Sequence, residues 1–158
     1  MAVEVVGKVQ NIVMHVDDDG TVKKTFKRML DRFIPKELEW SYCSSSNQTD
    51  CLSKVGEIVG SGKRVHLVIV MDYQYFENPI AEANNRTSDL GIETSQKIRD
   101  MARDGLLIKI ISCSSRESEI FERAEHNGRP LFDTVWTKPI NPEVVKEYCK
   151  GLDVFFSN

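Results

Sequence analysis

Acidic, hydroxyl and basic side chains stand repeatedly at the same kind of place in this chain, the end of an apolar run. Asp17, Asp18 and Asp19 follow the run 11–16, and Asp72 follows 66–71. Ser114 and Ser115 follow 107–113, and Lys138 follows 132–137. Carboxylates are seldom buried without a partner. An aspartate that ends a buried strand therefore points to a task rather than to packing. Brought to one edge, three carboxylates repel by roughly 4 kcal/mol for each pair about 4 Å apart at an effective dielectric near 20. A hard divalent cation held by a few carboxylates and several waters relieves this, which is the behaviour of Mg²⁺. Lys138 adds a second positive charge and Ser114 a hydroxyl. A nucleophilic carboxylate, a metal, a cation and a hydroxyl donor are the equipment for binding and transferring a phosphoryl group.

The elements that must position these groups follow from periodicity. Residues 67–71 are five apolar residues in a row, rich in Val and Ile. Such a run reads as a strand buried on both faces, the middle of a parallel sheet. Further strands are expected at 11–16, 38–43, 107–113 and 132–137. Val22, Phe26, Met29, Leu30 and Phe33 recur at helical spacing, with Lys23, Lys24, Lys27, Arg28 and Arg32 on the other face, and Pro35 stops that helix. A short second helix carries Leu52, Val55, Ile58 and Val59. A third covers about 89–103, a fourth 117–126 with Asn127-Gly128 as its stop, and a last one starts at Pro142. Segments 1–9 and 151–158 read as tails. Alternating strands and helices imply a doubly wound α/β fold, a five-stranded parallel sheet in the flavodoxin-like order 2-1-3-4-5. In that order the four strands ending in Asp17-Asp18, Asp72, Ser114 and Lys138 are neighbours, and ligands bind at that carboxyl edge.

Composition narrows the function classes. The chain has 158 residues, the size of one domain with a proper core, and we expect a single domain over 1–158 with its core at about 11–150. Lys+Arg total 21 against 24 Asp+Glu, a net charge of −3, so no basic block points to nucleic acid. No apolar run approaches the length of a membrane span, and the first residues lack the basic start and apolar run of a secretory signal. The four cysteines, Cys43, Cys51, Cys113 and Cys149, are scattered without metal spacing, which fits free thiols in a reducing cytoplasm. His15, His66 and His126 are equally scattered. Gly60-Ser61-Gly62-Lys63 is no phosphate-binding loop, because Glu57 takes the place of the first glycine and Arg64 that of the Ser/Thr.

Four landmarks together carry a resemblance. Val16-Asp17-Asp18-Asp19 before an amphipathic helix, Val70-Met71-Asp72, Ile110 to Ser115, and Thr137-Lys138-Pro139-Ile140 resemble those of response-regulator receiver domains of two-component and phosphorelay signalling. The resemblance runs from about residue 11 to 150. It implies a phosphoacceptor regulator rather than an enzyme, in which Asp72 takes a phosphoryl group from a phosphohistidine. The donor would be a histidine kinase or a histidine phosphotransfer protein. It further implies that Asp17 and Asp18 bind Mg²⁺ together with Asp72 and the backbone carbonyl of Gln74. Ser114 would bond a phosphoryl oxygen, and Lys138 would pair with the phosphate. The output partner is not implied. Two positions depart from the family pattern: Val135 stands where a signalling aromatic is usual, three residues before the lysine, and Phe76 where a proline often follows the acceptor.

Two other readings compete. Asp17-Asp18-Asp19-Gly20-Thr21 after a strand matches the DxDGT motif of haloacid-dehalogenase-like phosphatases, with Asp17 as nucleophile and Asp19 as general acid. That family also needs a late acidic strand end, and only Glu143, Glu147 and Asp153 follow Lys138. A non-catalytic pseudo-receiver would need no acidic set. The basic face of the first helix is either a solvated face or a dock for an acidic partner. Sixteen positions separate Asp72 from Ser88, where α/β connections usually take about 2–6 residues. This stretch is polar, with Ile80 its clear apolar residue. We expect it to bury little and to be mobile over the active edge, either as a neutral surface insertion or as a control on access to Asp72.

Overall fold

The computed structural model describes residues 8–157, so part of the 1–9 tail lies outside the described residues. The chain runs β1 (Gln10–Val16), α1 (Gly20–Phe33), β2 (Ser41–Ser45), α2 (Gln48–Gly60) and β3 (Val65–Met71). It continues through β4 (Gln74–Phe76), α3 (Pro79–Ala83), β5 (Thr87–Asp89), α4 (Gly91–Asp100) and β6 (Leu106–Ser114). It closes with α5 (Ser118–Glu122), β7 (Glu125–His126), β8 (Arg129–Pro130), β9 (Thr134–Thr137), α6 (Pro142–Lys150) and α7 (Leu152–Ser157).

Five strands form one parallel sheet in the order β2-β1-β3-β6-β9. Counted along the sheet this is the 2-1-3-4-5 order expected from the alternation of elements. All seven residues of β3 are buried, and the strand feeds two cores in alternation. Val65, Leu67, Ile69 and Met71 meet Cys51 and Val55 of α2, Ile98 of α4 and Phe121 of α5. Val68 and Val70 meet Phe26 and Leu30 of α1, Val145 and Cys149 of α6, and Phe156 of α7. Helices on both faces explain why this strand carries no polar alternation.

Three local expectations are corrected. The second strand lies at Ser41–Ser45, displaced from 38–43. The fourth helix is one short turn of helix, Ser118–Glu122, and the residues after it pair as the antiparallel ribbon β7–β8. Asn127 (φ 53°) and Gly128 (φ 76°) make that turn, since both central residues of such a tight connection need positive φ. The C-terminal tail is a helix, α7, because Leu152 and Phe156 lie one turn apart and both reach the core.

The stretch after Asp72 also differs from its expectation. β4 and β5 form an antiparallel ribbon with α3 at its far end. Tyr75 is fully buried, its hydroxyl donates to Thr94 Oγ1, and Phe76 is 8% exposed. The backbone N–H of Phe76 donates to the Ser46 carbonyl at 3.3 Å, Thr49 N donates to the Glu77 carbonyl at 3.1 Å, and Asn47 Nδ2 donates to Glu82 Oε1 at 3.0 Å. The segment thus has two aromatic anchors and polar ties to the start of α2. Ile80, taken as its apolar residue, is 74% exposed on α3. The two ends of the excursion meet: the Tyr73 carbonyl accepts N–H groups from both Leu90 (2.8 Å) and Gly91 (3.0 Å).

Candidate functional site

Parallel order brings the ends of β1, β3, β6 and β9 to one edge, and a pocket of about 190 Å³ opens there. Asp18, Asp72, Gln74, Ser114 and Lys138 line it together with Tyr73, Thr87, Ser115 and Arg116. Asp17 lies just beneath, fully buried. One oxygen from each of Asp17, Asp18 and Asp72 lies within 4.8 Å of the others. All the predicted residues therefore meet at one place.

The acidic turn after β1 sorts its three carboxylates by local hydrogen bonding. Asp19 Oδ1 accepts from Thr21 N (2.9 Å) and Val22 N (3.3 Å), so this residue caps α1. That role takes Asp19 out of the general-acid position the phosphatase reading needs. Asp17 Oδ1 accepts from Asp19 N at 2.8 Å, which fixes the turn, and Asp17 Oδ2 faces Lys138 Nζ at 2.8 Å. Asp18 is half-buried at the pocket wall. Burial, with the Asp17 charge beside it, raises the Asp18 carboxyl above its ordinary range.

Asp72 holds the centre. Its Oδ1 accepts from Tyr73 N at 2.7 Å, and its Oδ2 lies 3.0 Å from Lys138 Nζ. Burial and the nearby Asp17 charge push its pKa up to about 6, and Lys138 pulls the other way. Burial alone would lower the Lys138 ammonium. The hydrogen bond to Asp17 and the charges of both carboxylates outweigh it and hold Lys138 above its ordinary range. Lys138 is thus firmly cationic and bridges the two acids from the opposite end of the chain. Ser114 is 3% exposed, and its Oγ accepts from Arg116 N at 3.0 Å, which leaves its own proton available to a ligand oxygen.

The donor set suits a hard cation. Three carboxylates supply acceptor-only oxygens at close quarters, and two of them, Asp18 and Asp72, line a polar pocket that can admit water. Among the described residues this is the group of acidic, histidine or cysteine side chains that can hold a metal, and no histidine or cysteine belongs to it.

His15 lies directly behind the site. It is fully buried, its ring packs edge-on against Phe26 at 4.8 Å, and its Nε2 is 3.7 Å from Asp17 Oδ2. Burial lowers its pKa to about 4 against the raising effect of Asp17, so the ring is neutral. A group depressed from 6.5 to about 4 binds fewer protons folded than unfolded. Its contribution is therefore fully present above about pH 6.5 and lost as the pH falls toward 4. At pH 5 the loss relative to pH 7 is about 2 kcal/mol from this residue. His15→Leu is expected to flatten the acid side of the stability curve by that amount, read from urea unfolding at pH 7 and pH 5. An unchanged difference between the two pH values would contradict the assignment.

Several pocket residues are invisible to sequence patterning. Arg116 stacks over the Tyr73 ring at 5.7 Å, and only its position two places after Ser114 hints at a role. Thr87 reaches the pocket from β5, inside what looked like a polar loop. Gly91 touches the site from behind. A Cβ there would collide with the Asp72 carbonyl oxygen and stand 2.9 Å from Tyr73 Cα. Val135 and Trp136 occupy opposite faces of β9, Trp136 packing edge-on against Phe26 at 6.1 Å and Tyr148 at 5.6 Å. The aromatic side of that strand thus faces the α1–α6 core.

No family model matches the chain, and no curated protein matches its sequence. Solved structures do match its shape. The receiver domain of Ssk1 from Saccharomyces cerevisiae, solved with the histidine phosphotransfer protein Ypd1, has a TM-score of 0.62 at 18% identity over 89% of this chain and 87% of its own. A response regulator receiver protein from Dyadobacter fermentans scores 0.60 at 16% identity, covering 92% of this chain and 98% of its own. A CheY-like receiver domain from Methanospirillum hungatei scores 0.56 at 20% identity, covering 94% and 98%. Strand order, helix placement and these likenesses agree: the chain has the fold of CheY-like receiver domains.

Proposed function

We propose that the chain is a phosphoacceptor receiver domain of two-component or phosphorelay signalling, and that Asp72 accepts a phosphoryl group from a phosphohistidine. The observation that carries this reading is the junction of Asp17, Asp18, Asp72, Ser114 and Lys138 at one pocket, from four separate strand ends. A pseudo-receiver used for contact alone has no need to hold three carboxylates together against their repulsion.

Each residue has a distinct task in the transfer. An oxygen of Asp72 attacks phosphorus as the bond to the donor imidazole nitrogen breaks, and the donor leaves as a neutral imidazole that keeps the proton already on its other ring nitrogen. Asp17 and Asp18 would hold Mg²⁺ with Asp72 and the Gln74 carbonyl, and the ion would supply charge neutralisation at the phosphoryl oxygens. Lys138, already 3.0 Å from Asp72, would pair with a phosphoryl oxygen, and the Ser114 hydroxyl would donate to another. The partner is a histidine kinase or a histidine phosphotransfer protein, as the complex of the Ssk1 receiver with Ypd1 illustrates for that protein. On this reading the domain is a cytoplasmic signalling module that turns over no substrate of its own. No helix among the described residues is long and apolar enough to cross a membrane.

Incubation with acetyl phosphate and Mg²⁺ is expected to add one phosphoryl group, located at Asp72 by peptide mass spectrometry after borohydride trapping. Asp72→Asn should abolish the adduct, and chelation should suppress it. Label on Asp17 instead would establish the phosphatase chemistry in its place.

A further inference from the structure

One lining residue of the pocket comes from the returning strand of the excursion after Asp72. Asp18, Asp72, Ser114, Ser115, Arg116 and Lys138 all stand at or just beyond the ends of sheet strands. Thr87 comes instead from β5, fifteen positions beyond Asp72. The β4–β5 ribbon returns it to the site. Its register pairs Gln74 with Asp89, Tyr75 with Ser88 and Phe76 with Thr87. Cross-strand partners share a face, and faces alternate along a strand. Gln74 and Thr87 therefore stand on one face of the ribbon, the face that meets the pocket, and Tyr75 stands on the other, turned into the core.

The ribbon is also tied where it leaves and rejoins the sheet, and at Phe76, opposite Thr87, whose N–H donates to the Ser46 carbonyl. Tyr75 is fully buried with its hydroxyl donating to Thr94, and Gln74 Nε2 donates to Asp89 Oδ1 at 2.7 Å. The Tyr73 carbonyl receives two N–H groups from the returning chain. Thr87 is thus placed at the pocket rim by a fixed backbone, and its β-branched side chain has few rotamers to choose from.

We propose that Thr87 is a positioning residue that sets the lifetime of phosphorylated Asp72, its side chain narrowing the mouth through which water reaches the phosphorus. The inference rests on the acceptor reading above. In the step it governs, a water oxygen bonds to phosphorus while the phosphorus–oxygen bond to Asp72 breaks. Asp72 leaves as a carboxylate, and inorganic phosphate departs with the water's protons. Restricting water at such a site suppresses hydrolysis without touching the acceptor or its cation.

The test follows phosphate loss after loading the 158-residue chain with acetyl phosphate and Mg²⁺ and removing the donor. Thr87→Ala is expected to shorten the phosphoryl lifetime by about threefold to tenfold, a barrier change of up to about 1.4 kcal/mol. Thr87→Val keeps the branched shape and loses only the hydroxyl, so its lifetime should match wild type. Mg²⁺ midpoint and melting temperature should be the same in all three. A third variant replaces residues 77–86 by Asn-Gly, a two-residue turn that closes the ribbon directly from Phe76 to Thr87. It removes α3, keeps Thr87, and should keep the wild-type lifetime. A lifetime of Thr87→Ala that equals or exceeds wild type overturns the proposal. So does a short lifetime in Thr87→Val, which would assign the effect to the hydroxyl, or in the ribbon closure, which would assign it to α3. If wild-type protein takes up no phosphate, the acceptor reading itself fails, and the failure is visible before any variant is compared.

Discussion

Gly91→Ala is expected to lower stability by about 3 kcal/mol and to impair phosphorylation, although glycine contributes no functional group. A Cβ at this position would overlap the Asp72 carbonyl oxygen and press on Tyr73 Cα. Both obstacles are backbone, so no rotamer change relieves the contact. Either α4 retreats or the Asp72–Tyr73 peptide moves. A retreat breaks the bonds from Leu90 and Gly91 to the Tyr73 carbonyl and loosens Ile98, which is fully buried. A peptide shift tilts the acceptor away from Lys138. Overpacking of this kind costs about 1–3 kcal/mol and occasionally more, and backbone obstacles put it at the upper end. For a domain this size the melting temperature should fall by about 6–12 °C. Thermal unfolding by circular dichroism and uptake of phosphate from acetyl phosphate read the two effects separately. A wild-type melting temperature would show that α4 moves freely at its first turn.

Removing the bridging cation should act through charge. Lys138→Ala leaves Asp17 fully buried and Asp72 nearly so, with their carboxylates unneutralised. Breaking a buried pair typically costs about 3–5 kcal/mol, and partial exposure of the Lys138 side chain reduces the expected loss to about 2–4 kcal/mol at pH 7 without Mg²⁺. The pH dependence has a definite sign. The Asp72 pKa is raised in the folded state to about 6, so the folded chain binds its proton more readily than the unfolded chain. Stability from this group therefore increases as the pH falls from 7 through 6 toward the unfolded value near 3.8. The variant should recover much of its loss at pH 5, and again at pH 7 in the double variant with Asp72→Asn. Urea unfolding of the four proteins at both pH values gives the coupling directly. Equal losses at pH 7 and pH 5 would show that the lysine's stem, not its charge, supports the fold.

The parts of this molecule that sequence made legible are those in which one residue type has one physical meaning. Five apolar residues before Asp72 leave little but a central strand, and aspartates at strand ends leave little but a ligand. Sheet order and the meeting of Asp17, Asp18, Asp72, Ser114 and Lys138 follow from these. Other features depend on partners far away in the chain. Tyr75 reads as a turn residue because its neighbours are Gln74, Glu77 and Asn78. Leu90 and Thr94, fifteen and nineteen residues later, help make it a core residue. Asn127-Gly128 is ambiguous between a helix stop and a hairpin turn, since β7 and β8 are two residues each and carry no periodicity of their own. Gly91 is legible only once α4 is known to start against Asp72.

The meeting of the excursion's two ends at the Tyr73 carbonyl has a practical consequence. A segment that leaves and rejoins at one point presents a single fixed doorway to the sheet, whatever lies beyond it. Its length then enters only as loop-closure entropy, which grows by about 0.6 kcal/mol per doubling. The exposed tip around residues 83–86 is thus a natural splice point, where exposed polar loops tolerate foreign sequence. An epitope or a fluorescent reporter grafted there would leave the parallel strands in register, and would sit at the end of the ribbon that borders the Asp72 pocket.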